Sequence, residues 1–179
     1  MNKLNKIVVG MTLASAIVSA PLYAAEQGEL NATESTGKVD IRFEIVDQVQ
    51  ISNVKDITLG TFDGVNGLTG GQSFCVYRNG GKGYEMEVSS VDGTGFFAQS
   101  PTTGDSVEFS VRIDGDVDAS DTTVIADGAT SAAYNGSSAL DCGVTDNASI
   151  QVDFAPTDLR AASTADDYKG TVVITVKPV

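Results

Sequence analysis

The chain has 179 residues, with 11 Lys and Arg against 24 Asp and Glu, a net charge of −13, no His and no Trp. A surface that acidic repels nucleic acid and anionic lipid, so neither is expected as a partner. The missing His removes the commonest general base and zinc ligand, and with it every serine–histidine and cysteine–histidine nucleophile system.

Residues 1–24 read as a signal peptide. Lys3 and Lys6 precede an uncharged run over residues 7–20, which is too short to cross a bilayer that needs about 20 apolar residues. The small-residue exit Leu22-Tyr23-Ala24-Ala25 puts cleavage near Ala24 or Ala25. No second apolar run follows, so no membrane-spanning segment is expected in the exported chain. What remains, about 155 residues, is enough for one ordinary domain.

Residues 25–36 are small and polar and read as a flexible leader. Residues 38–46 then alternate, with Val39, Ile41, Phe43 and Ile45 on one face and Lys38, Asp40, Arg42 and Glu44 on the other, a period-2 amphipathic strand. Alternation fits a strand that completes its own sandwich as well as one lent to another chain. The expected organisation is therefore a leader and N-terminal strand over 25–47 and a β-domain over 48–179.

Short strands are expected at 48–51 and at 56–62, the second closed by the Asp63-Gly64 turn signal. Strands at 72–78 and 83–90 flank Asn79-Gly80-Gly81, where Asn-Gly suits a type I′ hairpin turn because both central residues need positive φ. Residues 106–113 alternate again through Val107, Phe109 and Val111. Further strands are expected at 122–125, 149–154 and 170–177, with Val172, Ile174 and Val176 sharing a face. Helix-period patterns are missing, and this succession of short strands bounded by turn residues predicts an all-β sandwich or barrel.

Export leads to an oxidising compartment, where the two cysteines, Cys75 and Cys142, are expected as a structural disulfide. A redox pair or a metal site has no local support, with no C-x-x-C and no His. The acidic loop from Asp114 to Asp121 fails as an EF-hand. Counted from Asp114, Ala119 stands where Gly is required and Ile125 where Glu is required. Asp153, Asp166 and Asp167 could supply paired carboxylates, but nothing suggests a cleft, and the Trp platform usual for sugars is missing. Gly67–Gly71 lacks the Lys and the following helix of a phosphate cradle. No catalytic residue, cofactor or metal is expected.

Five segments together resemble the pilin subunits of the chaperone–usher pathway, nearest to the branch containing spore coat protein U-like domains. Lys38-Val39-Asp40-Ile41-Arg42-Phe43-Glu44-Ile45 resembles the alternating N-terminal extension of those proteins. Ile57-Thr58-Leu59-Gly60-Thr61-Phe62-Asp63 is similar to a strand ending in Gly, a small residue and an aromatic. Ser73-Phe74-Cys75-Val76-Tyr77 with Gly83-Tyr84-Glu85-Met86-Glu87-Val88 resembles the central hairpin, and Val107-Glu108-Phe109-Ser110-Val111 the strand before the variable loop. Ala165-Asp166-Asp167-Tyr168-Lys169-Gly170-Thr171-Val172-Val173-Ile174-Thr175-Val176 resembles the terminal signature, a small-residue bend, Tyr, then a Thr/Val strand. The chain departs from the pattern in having no cysteine between Gln48 and Asn53 and carrying Cys142 instead.

The resemblance implies an incomplete immunoglobulin-like sandwich whose groove is lined by Tyr168, Val172, Ile174 and Val176. It implies that Val39, Ile41, Phe43 and Ile45 form a donor strand for the next subunit. The implied partners are homologous pilin subunits in a head-to-tail polymer, a periplasmic chaperone and an outer-membrane usher. The implied location is a fimbria on the cell surface, reached through the periplasm. The competing expectation is a secreted monomeric sandwich that binds carbohydrate or calcium.

Overall fold

The computed structural model describes residues 25–117, 122–164 and 167–179. The expected signal peptide and part of the acidic loop after Asp114 lie outside them. The chain divides into two units, Met1–Ile45 and Val46–Val179.

In the first unit, Glu26 and Lys38 exchange backbone hydrogen bonds at 3.0 and 2.9 Å and pair through their side chains at 2.8 Å. The expected flexible leader is thus a closed loop. Residues 39–46, expected as a strand, belong to no ladder. Their alternation sets the pattern of a strand, but a strand also needs a partner for its backbone.

The second unit is an antiparallel β-sandwich. In chain order its strands among the described residues are β1 (Val49–Ser52), β2 (Leu68–Arg78), β3 (Gly83–Ser90), β4 (Phe97–Gln99), β5 (Ser106–Glu108), β6 (Ser110–Asp114), β7 (Thr123–Ile125), β8 (Ala129–Thr130), β9 (Tyr134–Asn135), β10 (Ala148–Phe154) and β11 (Val172–Pro178). One sheet has the order β1-β2-β10-β6-β7. A second has the order β11-β3-β8, with β9 also on β3, and β4 pairs with β5 as a separate ribbon. A short helix, α1 (Pro156–Ala161), follows β10, with Pro156 at its start where a missing N–H costs nothing.

The core lies between the sheets. Phe74 and Val76 from β2, Tyr84, Met86 and Val88 from β3, Val111 and Ile113 from β6, and Ile150 and Val152 from β10 are buried at the period-2 positions of their strands. Phe109 stacks on Phe96 at 5.8 Å and meets Phe154 at 4.9 Å.

Several expectations are corrected. The alternation over 106–113 is two strands. β5 pairs with β4 and β6 with β10, while Val107, Phe109, Val111 and Ile113 all stay buried. One apolar face thus stays on the core as the strand changes partners. The turn after β2 places positive φ on Gly80 (75°) and Gly81 (63°), not on Asn79. Residues 56–62 form no ladder strand, although Ile57 and Leu59 pack against the core. They can do so because β2 carries Gly70 beneath them, where a Cβ would stand 2.3 Å from Leu59 Cδ2.

Cys75 and Cys142 form a disulfide with their Cα atoms 5.8 Å apart, linking the middle of β2 to the loop before β10 across 67 residues.

Candidate functional site: an open seam between the sheets

Among the described residues β1 pairs with β2 alone and ends its sheet, and β11 pairs with β3 alone and ends the other. The two edge strands lie near each other with no ladder between them.

The register shows that both turn apolar side chains toward the interior. Val49 and Ile51 stand opposite Arg78 and Val76, which are buried. Val172, Ile174 and Val176 stand opposite Ser90, Val88 and Met86, of which Val88 and Met86 are fully buried. Cross-strand partners share a face, so these five residues point inward. All five are nevertheless only half-buried, although they pack against the core. An inward side chain that stays half-exposed lacks a cover. Ile57, Leu59, Phe154 and Tyr168 are likewise half-buried against the core. The result is an apolar seam flanked by two strand edges, each with a row of backbone groups turned away from its one partner.

One end of the seam is tied shut by Arg78, whose side chain is 3 % exposed. Its guanidinium donates to the carbonyls of Gly83 and Val179, the latter at 2.7 Å from Nη1, and its Nη2 donates to Asp47 at 3.2 Å. Asp47 precedes β1 and Val179 follows β11, so one buried cation holds both banks. A buried guanidinium must be paired, and Asp47 also receives Lys82 Nζ at 3.2 Å. The bond from Lys82, and then its charge, hold the Asp47 carboxyl below the ordinary range. Before β11 in the chain, Tyr168 donates to the Ser163 carbonyl at 3.3 Å.

Of the residues expected to line a groove, Val172, Ile174 and Val176 share the inward face of β11, and Tyr168, which precedes β11, is half-buried against the core. Val39, Ile41, Phe43 and Ile45 are between 74 and 85 % exposed. Val49, Ile51 and Arg78 belong to the seam and were not singled out from the sequence. A signal for Arg78 was present, because it falls on the same alternating face of β2 as Phe74 and Val76, where a charge needs a reason.

No cluster of three or more His, Cys, Asp or Glu placed to hold a metal occurs among the described residues. No helix among them is long and apolar enough to cross a membrane. The disulfide and the lack of such a helix are compatible with a secreted protein. Comparison with protein-family models finds no match, and comparison with curated proteins finds none either.

Proposed function

We propose that this chain is a structural subunit of a surface filament, joined head to tail by donation of residues 39–45 into the seam of the next copy. The observation that carries the reading is the seam itself, whose inward side chains from both sheets are half-uncovered along two unpaired strand edges. The sandwich is on this reading an immunoglobulin-like fold short of one strand.

The donor segment suits the slot in length and period. It spans seven residues, the length of β11, and its four apolar side chains repeat every ~6.8 Å, the spacing of Val172, Ile174 and Val176. Burying them contributes about 6–12 kcal/mol of transfer free energy. Ordering seven backbone residues costs about 7–14 kcal/mol. The two roughly cancel, so the surplus comes from the new ladder bonds and from covering the seam's own side chains. A lone apolar strand therefore gains nothing without a matching slot. The contact is heterologous and propagates as a filament. Before assembly the open edge is an aggregation hazard, which is the reason for a periplasmic chaperone to cover it and an outer-membrane usher to exchange it.

The test compares the exported chain with a version lacking residues 39–45, by sedimentation and electron microscopy. The intact chain forms linear oligomers. The shortened chain stays folded and monomeric, and binds a peptide spanning residues 38–46. Monomeric behaviour of the intact chain at every concentration, together with unfolding of the shortened one, would mean that the strand completes its own fold.

A further inference from the structure

The chain enters the sandwich through a fixed point. The β1–β2 ladder, which ends with Val49 opposite Arg78, is carried one step further by the Asn79 amide, which donates to the Gln48 carbonyl at 3.2 Å. There the backbone turns away through Gly80 and Gly81. The Asn79 side chain then takes over. Its Nδ2 donates to the Val46 carbonyl at 2.9 Å, and its Oδ1 accepts the Gln48 amide at 3.0 Å. A carboxamide that accepts from one residue and donates to another two positions away replaces the peptide group a longer β2 would have offered. Asp47, between those two, receives Arg78 and Lys82, each at 3.2 Å. Arg78 is itself held by the Gly83 and Val179 carbonyls, so its end of the ion pair cannot swing. Val46, Asp47 and Gln48 are thus all held, and every partner belongs to the same unit.

Ile45, the last alternating apolar residue, is bonded directly to Val46. We propose, on the strand-donation reading above, that Val46–Asp47–Gln48 is a slack-free joint between consecutive copies and that Asn79 is the positioning residue that makes it rigid. A donor seated through Ile45 in one copy is followed at once by a residue clamped to its own sandwich. A flexible connection gains reach as about 5–6 Å times the square root of its length, and here no free residue is left to supply it. The filament's stiffness is therefore set at this point, by five polar contacts rather than by a linker.

The experiment measures filament persistence length by electron microscopy for the unaltered chain, for Asn79→Ala, for Asn79→Asp and for a Gly-Ser-Gly-Ser insertion between Ile45 and Val46. Asn79→Asp keeps the acceptor for Gln48 and loses the donor for Val46. The persistence length is expected to fall at least threefold with the insertion and with Asn79→Ala, and less with Asn79→Asp. Adding the insertion to Asn79→Ala should bring little further loss. The insertion leaves the sandwich untouched, so it decides the matter even where an Asn79 variant folds poorly. Backbone relaxation of the monomer supplies a second readout. The Val46 and Gln48 amides should have order parameters of about 0.85 in the unaltered chain and below about 0.6 in Asn79→Ala. Filaments equally stiff in all four proteins, or mobile Val46 and Gln48 amides in the unaltered chain, overturn the joint and leave strand donation standing. The absence of any head-to-tail filament overturns both.

Discussion

Replacing Phe43 by alanine separates association from folding. Phe43 is the largest of the four alternating side chains and is 83 % exposed in the single chain, so removing its ring takes away almost no packing. Exposed substitutions of this kind stay within about 0.5 kcal/mol, and the melting temperature of the monomer should not move beyond a degree or two. Seated in the seam of a second copy, the same ring would be covered, and truncating a covered Phe costs about 3 kcal/mol or more. That corresponds to roughly a hundredfold weaker association. Glu44 lies on the opposite face and faces solvent in either state, so Glu44→Ala serves as the control and should change association less than about threefold. The assay is the concentration dependence of sedimentation for the three proteins, with thermal unfolding of each at a concentration where all are monomeric. Equal effects of the two substitutions on association would refute the reasoning. So would a Phe43→Ala protein whose melting temperature falls while its association is unchanged.

Four other outcomes are expected. Asp127 is held below the ordinary aspartate value of 3.8 by the Ser90 amide, the Ser90 hydroxyl and the Gly95 amide, and Asp146 by Asn53 and Ser73. A lowered native pKa means that the unfolded chain binds more protons. This part of the stability is therefore complete above pH 3.8 and is lost as pH falls through the lowered values; urea midpoints should drop below about pH 4, less steeply in Asp127→Asn. Because the chain contains no His, the same midpoints should be nearly flat between about pH 5.5 and 7.5. Reduction of Cys75–Cys142 removes a cross-link over 67 residues, worth about 4 kcal/mol on the chain-entropy account, and should lower the urea midpoint by a corresponding fraction of a stability of about 5–15 kcal/mol. Gly70→Ala places a Cβ 2.3 Å from Leu59 Cδ2 and 3.1 Å from Ile57 Cγ2; displacing Leu59 should cost about 1–3 kcal/mol, seen as a lower melting temperature.

The fold class was legible because its signal is local. Val107, Phe109, Val111 and Ile113 alternate without a break, as do Tyr84, Met86 and Val88, and a period of two suffices to place them on one buried face. The hydrogen-bonding partners of such segments are not local. The 106–113 alternation gives no sign that its first half pairs with β4 and its second with β10. The short strands β8 and β9 sit in a Gly-, Ala- and Ser-rich stretch because β3 offers them an edge, not because their own residues favour extension. The half-turns at Asn79 and Cys142 likewise depend on positive φ at Gly80, Gly81 and Gly143, which composition marks only as a turn. In the candidate site, Val172, Ile174 and Val176 were readable from their spacing, whereas the second bank of Val49 and Ile51 became visible only once the register with β2 was known.

The two segments whose expected strands are absent bear on the same proposal. Residues 39–45 and 56–62 both alternate, both carry β-formers, and neither is laddered. Elsewhere in the chain an alternating run of this quality became a strand. Sequence propensity therefore did not fail at random; it failed in the segments that precede and follow β1 in the chain. An extended segment gains its strand only when a neighbour satisfies its backbone, and on the strand-donation reading proposed above that neighbour belongs to another copy. Ile57 and Leu59 already rest on Gly70 with their side chains inward, so the second segment is packed as a strand before it is bonded as one. A sequence that specifies more strands than one folded copy can pair is what would be expected if the pairing is completed by another copy.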